Sequence, residues 1–477
     1  MERRLARDEQ LRQRYDETIR IDADKSFIRK LDTEELRRTK DLQQWYLPHH
    51  PVLNPHKPDK VRRVCNTASN FRGTSLNDKL VPGPDLLRSL LGIIFRFREN
   101  KIAMTADIES MFLQVAVPKE ECRYLRFLWR SDPNNDIDVY EYNRHVFGAR
   151  SSPTCVNYAL QQSATDQKDA FPEMVRIVDR NFYMDDFIKS LSSTAKAKKI
   201  FTELVQCLKQ RGFELKKWIT NNAELNAFIP ENLRSASTIK TFDVEAINSS
   251  ILGLKWLVEE DVLEVSRGPQ KEIPDLVTQR AVLSHISAVF DPLGLFAPYT
   301  MRMRILLKSV WIKCGQQWDK ELSKDEVDAF YNWANELQQI KDFSIDRNYF
   351  AKTVEQYQLH IFCDASLEAM CIVAYLREDT QEESELAFVI GKSRIAPMRQ
   401  LSIPRLELQA AMYATRLRDS IIAEHDLVFS KICHWSDSMT VLHWLHSSHK
   451  KQTVFVANRI AEILENSNID KWNFVNG

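Results

Sequence analysis

Two adjacent carboxylates, Asp185 and Asp186, sit inside a run of strand-forming residues, Asn181-Phe-Tyr-Met-Asp-Asp-Phe-Ile188. Side by side they repel each other, and the run supplies no cation. A tight strand-turn-strand with both acids at its tip, neutralised by a divalent metal, resolves the conflict. By itself an Asp-Asp pair is an ordinary solvated turn. A third carboxylate in matching context changes the weighing: Asp107, at the end of Ala103-Met-Thr-Ala. Acids gathered from two strand ends form the cluster that two-metal nucleotidyl transfer requires, one ion activating a hydroxyl and the other holding a triphosphate and its leaving oxygen.

A second acidic set follows. Asp364 ends the apolar run Leu359-His-Ile-Phe-Cys, Glu407 lies on a helix opened by Ser402 as cap with Pro404 in its first turn, and Asp437 follows Ile432-Cys-His-Trp-Ser. Single acids at strand ends are usually just solvated, so this set gains weight only from the order strand, helix, strand.

The remainder must position these groups. A chain of 477 residues is long for one core, and 44% hydrophobic residues exclude wholesale disorder. Its 66 basic and 66 acidic residues cancel, so only local patches can argue for a nucleic-acid partner. Eight cysteines without CxxC spacing read as reduced, mostly buried thiols of a cytosolic or nuclear protein. No apolar run approaches membrane-spanning length, so no membrane partner is expected, and the first residues read as a charged helix without a signal-peptide core.

Residues 1–45 have helical spacing and predict one or two solvated helices. Tyr46 to Pro58, with four prolines and three histidines, predicts an extended loop. Asp85 to Phe97 and Ala195 to Arg211 have helical periodicity, the first closing on Arg96 and Arg98 as dipole-complementing cations. Ile251 to Val258 is a strand candidate, Thr278 to Phe343 is mostly helical, and an α/β segment begins near Gln358.

Tyr183-Met-Asp-Asp186 resembles the signature of reverse transcriptases. The surrounding strings are similar to the BEL/Pao class of LTR retrotransposons: Tyr46-Leu-Pro-His-His-Pro51, Lys60-Val-Arg-Arg-Val-Cys-Asn-Thr-Ala-Ser69, Ser75 to Leu87, Ala106-Asp-Ile-Glu-Ser-Met-Phe112, Leu125-Arg-Phe-Leu-Trp129, Val146-Phe-Gly-Ala-Arg-Ser-Ser-Pro153 and Phe290-Asp-Pro-Leu-Gly-Leu-Phe-Ala-Pro298. The resemblance covers nearly the whole chain. It implies an α+β fold: a right-hand polymerase with fingers, palm and thumb, a connection region, and a truncated α/β ribonuclease H-like domain. The implied domains are a helical lead (1–45), fingers and palm (46–221), thumb and connection (222–350) and the ribonuclease H-like domain (351–477).

The same resemblance implies an RNA-directed DNA polymerase that uses two Mg²⁺ or Mn²⁺ ions per active site, dNTPs, and an RNA or DNA template with primer. Asp107, Asp185 and Asp186 would be metal ligands and Phe112 the aromatic gate against a ribose 2′ hydroxyl. Arg62 or Arg63 would touch the triphosphate, Phe147, Gly148, Tyr183 and Met184 would line the nucleotide site, and one of Lys216 and Lys217 would lie near the leaving group. Phe147 departs from the retroviral pattern, which has Gln there. Ile251 to Trp256 resembles the primer-grip hairpin.

Asp364, Glu407 and Asp437 match the metal carboxylates of ribonuclease H, which cleaves RNA/DNA hybrids. The family's fourth Asp would follow Trp472-Asn-Phe-Val475, and the sequence ends at Gly477, which weakens the expectation of ribonuclease activity. Residues 278 to 438 also resemble the region named for a Pao retrotransposon peptidase, yet no Asp-Thr-Gly or Asp-Ser-Gly occurs to aim an aspartic dyad. The alternative is an inactive or domesticated fragment that binds nucleic acid. Localisation is expected in a cytoplasmic retroelement particle or the nucleus; oligomeric state is left open.

Overall fold

The computed structural model describes residues 1–54, 57–132, 134–235, 239–242, 254–265, 271–352, 355–378, 384–447 and 452–476. The chain divides into two compact units. The first comprises Met1–Arg88, Ala106–Phe187 and Lys199–Lys216, and the second Ser89–Thr105, Ile188–Lys198 and Lys217–Gly477.

In the first unit the leading helix Glu9–Asp24 is capped by Asp8, whose carboxylate accepts the Leu11 N–H at 2.9 Å. It is less solvated than its composition predicts. Leu11, Tyr15 and Ile19 recur at helical spacing and enter a core with Phe127, Trp129 and Tyr142. That core backs a three-stranded antiparallel sheet in the order Ile28–Lys30, Asp138–Tyr142, Arg126–Trp129.

The proline-rich stretch is not the predicted loop. His49–Asn54 pairs antiparallel with Lys57–Cys65. His49 anchors it: its Nδ1 lies 2.5 Å from the Tyr15 hydroxyl and its Nε2 2.9 Å from the Leu128 carbonyl. A two-stranded hairpin is all edge, which is where a strand tolerates Pro51.

The helix foreseen from Asp85 begins only at Leu90 and runs to Phe97. Asp85 instead folds back to accept the Leu87 N–H at 3.0 Å, a local turn that competes with helix. Ser89 then caps through the Gly92 N–H at 3.3 Å.

The second unit carries a five-stranded sheet in the order Leu386–Ile395, Ala369–Glu378, Tyr357–Ala365, Phe429–Ser436, Trp472–Phe474. The first three strands are antiparallel; the fourth lies parallel to Tyr357–Ala365 and the fifth parallel to the fourth. Leu359, Ile361, Cys363 and Ala365 alternate inward, as a half-covered strand requires. The helix Ile403–Glu424 packs on this sheet. Ser402 stands at its N-cap without the predicted side-chain bond, and Pro404 lies in its first turn.

A separate antiparallel sheet holds Ile239–Phe242, Leu254–Leu257, Val262–Val265 and Phe343–Asp346 in that order. The strand foreseen at 251–258 thus survives as Leu254–Leu257, and residues 251–253 lie outside the described residues. Three helices, Gln279–Ala288, Ala297–Cys314 and Lys324–Gln339, surround buried Phe330 and Trp333.

The Phe290–Pro298 string turns out to be a docking turn. The Asp291 carboxylate accepts the N–H groups of Gly294, Leu295 and Phe296 at 2.8, 2.9 and 2.6 Å. Gly294 has φ of 83°, and a Cβ there would stand 2.0 Å from the Gly391 carbonyl oxygen of the five-stranded sheet, so only glycine fits.

Candidate polymerase and ribonuclease H-like sites

A four-stranded sheet in the order Phe182–Tyr183, Asp186–Leu191, Ile102–Ile108, Leu215–Thr220 positions the first acidic set. Residues 106–108, 182–183, 186–187 and 215–216 of it belong to the first unit. Ala103, Met104, Ala106 and Ile108 are buried, which fixes the strand and leaves Asp107 half-exposed at its end. Phe182 and Tyr183 pair with Phe187 and Asp186 around a two-residue turn, and Met184 takes φ of 53° to make it. The Ile108 N–H donates to the Asp185 carbonyl at 2.9 Å. The two strand ends predicted to meet therefore meet, through the main chain.

Around them, Phe112 is buried and its ring lies 4.5 Å from that of half-exposed Phe147, centre to centre. Gly148 has φ of 95°, and its carbonyl accepts from the Thr67 hydroxyl and from Asn77 Nδ2 at 3.1 Å. The sequence marks both rings but gives no sign that they touch. Asn157, on the helix Ser152–Thr165, brings its Nδ2 to 3.6 Å from the Met184 sulfur. Nothing in the sequence singles it out.

Lys216 ion-pairs with Glu109, two residues past Asp107, and lies 3.5 Å from Glu214. The hydrogen bond from Lys216 holds the Glu109 carboxyl below its ordinary range, and the same bond raises Lys216. Lys217, the other lysine of the pair, is exposed and has φ of 55°.

Arg63 is a correction. The family resemblance offers it as the alternative to Arg62 beside the triphosphate, but its side chain is 2% exposed and ion-pairs with Asp22 at 2.5 Å. Its guanidinium stands 4.6 Å from the Phe127 ring centre and 5.0 Å from that of Tyr142. Strand alternation puts Arg63 inward and Arg62 outward, where Arg62 is exposed.

In the second acidic set, Asp364 is exposed on the central strand, and Glu407 accepts a hydrogen bond from the Ser438 hydroxyl. One Asp437 carboxylate oxygen is buried without a hydrogen-bond partner. These acids converge on Cys363: burial first, then the charges of Asp364, Asp437 and Glu407, push its thiol up to about 12. Among the described residues no three His, Cys, Asp or Glu side chains are gathered closely enough to hold a metal ion by themselves.

The donor chemistry of both sets nevertheless fits a hard divalent cation, which takes carboxylate oxygens. The orphaned oxygen of Asp437 is the kind of group such an ion satisfies.

Residues 58–218 match the family model described as reverse transcriptase (RNA-dependent DNA polymerase). Residues 278–438 match that of a Pao retrotransposon-like RNaseH-like domain. The chain joins a reverse transcriptase domain to a Pao-type ribonuclease H-like domain. The second match starts at Thr278, within the helical region, and describes as ribonuclease H-like the stretch whose resemblance to a region named for a peptidase lacks the dyad tripeptide.

Among solved structures, the foamy viral protease-reverse transcriptase dRH with double-stranded DNA is 16% identical over 93% of this chain and 68% of that one, with a TM-score of 0.54. The foamy viral protease-reverse transcriptase with an RNA/DNA hybrid is 14% identical over 94% of this chain and 54% of that one, with a TM-score of 0.52. With double-stranded DNA it is 15% identical over 97% and 82%, with a TM-score of 0.54. These likenesses carry the fold, a right-hand polymerase followed by a ribonuclease H-like part. No curated protein matches the chain.

Proposed function

We propose that the reverse transcriptase domain is an RNA-directed DNA polymerase that adds deoxynucleotides to a primer at Asp107, Asp185 and Asp186. The observation that carries this reading is the main-chain bond from Ile108 to Asp185, which sets the strand end bearing Asp107 against the Tyr183–Asp186 turn. Those three carboxylates would hold two Mg²⁺ or Mn²⁺ ions, which when bound lower the barrier to attack by the primer hydroxyl and neutralise the leaving phosphate.

The chain's own residues position the rest. Phe112 and Phe147 form a two-ring wall that excludes a ribose 2′ hydroxyl by contact. The Gly148 turn, fixed by Thr67 and Asn77, holds that wall in place. Lys216, kept charged by Glu109, offers a proton donor beside the strand end. Exposed Arg62 supplies a guanidinium for phosphate oxygens. The foamy viral relatives were captured with double-stranded DNA and an RNA/DNA hybrid, which supports the same class of partner for this chain.

Primer extension on poly(rA)/oligo(dT) with Mg²⁺ or Mn²⁺, wild type against Asp185→Asn, tests the reading. Template-directed incorporation by the wild type alone supports it, and equal incorporation by both proteins refutes it.

A further inference from the structure

Four arginines surround two aromatic rings on one side of the ribonuclease H-like domain. The guanidinium carbons of Arg394 and Arg416 lie 4.3 and 5.6 Å from the Tyr413 ring centre. Those of Arg459 and Arg405 lie 3.5 and 5.6 Å from that of Phe455. Arg405, Gln409, Tyr413 and Arg416 recur at helical spacing along Ile403–Glu424, Phe455 and Arg459 lie on the packed helix Val454–Asn466, and Arg394 closes the strand Leu386–Ile395. Gln409 ties the stripe by donating to the Tyr413 hydroxyl at 3.2 Å. Glu407 lies two residues past Arg405, about 200° round the helix. The arginines and the carboxylate set thus occupy different faces.

Exposed pairs such as Arg280–Asp319, Arg302–Glu336 and Lys313–Glu326 set one acid against one cation. Here Glu462 answers Arg416, with contacts of 2.5 and 3.0 Å, amid four guanidinium groups. Burial and the nearby Arg416 both push Arg459 below its ordinary value, and the Arg459 Nε is buried without a partner. Crowded cations cost stability, and a polyanion docked against them offsets that cost. An aromatic ring beneath a guanidinium holds it by cation–π attraction, and guanidinium donors are the side-chain groups best suited to phosphate oxygens.

We propose that this surface, Arg394, Arg405, Arg416 and Arg459 mounted on Tyr413 and Phe455, binds the sugar-phosphate backbone of a nucleic acid on a helix face other than the one that bears Glu407. It adds a binding surface to the proposed function and does not depend on the polymerase chemistry.

The test uses the whole chain and a labelled DNA duplex, followed by fluorescence anisotropy over a range of salt. The triple variant R394Q/R405Q/R459Q is expected to bind about 10-fold or more weakly. The slope of log K against log salt should become shallower by about 2 to 3, near 0.9 for each phosphate that an arginine no longer neutralises. E462Q, which removes the opposing acid and leaves every arginine, is expected to bind more tightly. Unchanged affinity and slope in the triple variant, or unchanged affinity in E462Q, overturns the proposal. Competition by polyglutamate as strong as by unlabelled duplex at equal charge also overturns it, in favour of an acidic protein. Primer extension at saturating template, read on the same preparations, is expected to stay at the wild-type level. A fall in extension without a fall in duplex binding overturns this surface while leaving the polymerase reading intact.

Discussion

The strand-end acids of the first unit and the arginine junction of the second show two opposite uses of charge. Asp107, Asp185 and Asp186 stand where buried strands reach solvent. Arg347, fully buried in the second unit, contacts both Asp261 oxygens at 2.6 and 2.8 Å and donates to the carbonyls of Phe97, Asn100 and Lys101 at 2.6, 2.9 and 2.8 Å. Arg98 beside it reaches the carbonyls of Phe388, Asp346 and Arg347 at 2.8, 3.3 and 3.3 Å. A charge whose donors are all spent on its own chain has none left for a ligand. Function is expected of the first kind and stability of the second.

The comparison is broken most directly at Asp185. Asp185→Asn is expected to lower primer extension by at least about 10²-fold, the scale of one missing electrostatic stabiliser. Its stability by urea unfolding should stay within about 0.5 kcal/mol of wild type, as for other surface changes. A protein that unfolds instead of losing activity would put Asp185 in the structural class. Arg347→Met is expected to do the reverse and destabilise the second unit by about 3–5 kcal/mol, because it strands Asp261 and three carbonyls. Urea unfolding followed through Trp256, whose Nε1 donates to Asp261 at 3.0 Å, reads that loss.

Arg63 sharpens the division, since its sequence context resembles one class and its placement belongs to the other. Arg63→Ala is expected to cost about 1–3 kcal/mol by leaving Asp22 unpaired, with KM for dNTP unchanged. Arg62→Ala should raise KM for dNTP at unchanged stability. The opposite pattern in steady-state kinetics and melting would reverse the assignment of the two residues.

What the sequence could show follows from the same physics. The Asp185-Asp186 turn and the alternation of Leu359 to Ala365 are local, so periodicity and residue type reveal them. The element positions of Asp364, Glu407 and Asp437 are readable because each acid closes a strand or opens a helix. Arg63, His49 and Arg347 are not, because their partners Asp22, Tyr15 and Asp261 lie tens of residues away and only tertiary packing joins them. Arg96 and Arg98 show the same limit. Helical position makes them solvated cations, yet both are buried, and Arg96 reaches the Glu424 carboxylate at 2.6 Å. The Asp85 turn escapes for a local reason, since a side chain that bonds its own backbone defeats the apolar periodicity around it.

The smallest effect lies at Glu99, a charge group of the second unit that fits neither class. It lines a cavity of about 210 Å³ with Lys101, Lys352 and Asp426, and its carboxylate accepts the Asp426 N–H at 2.7 Å. Burial, reinforced by the Asp426 charge, pushes its carboxyl up to about 8. Between the ordinary carboxyl value of 4.5 and about 8 the folded chain keeps a proton that the unfolded chain releases, so stability falls as pH rises through that window. Glu99→Gln holds the group neutral at every pH. The variant is expected to match wild type near pH 5 and to exceed it above pH 8 by about 1 kcal/mol, a figure reduced for the solvent that reaches the cavity. Parallel stability curves for the two proteins from pH 5 to pH 9 would show that Glu99 is ionised in the fold, and would return it to the class of exposed acids.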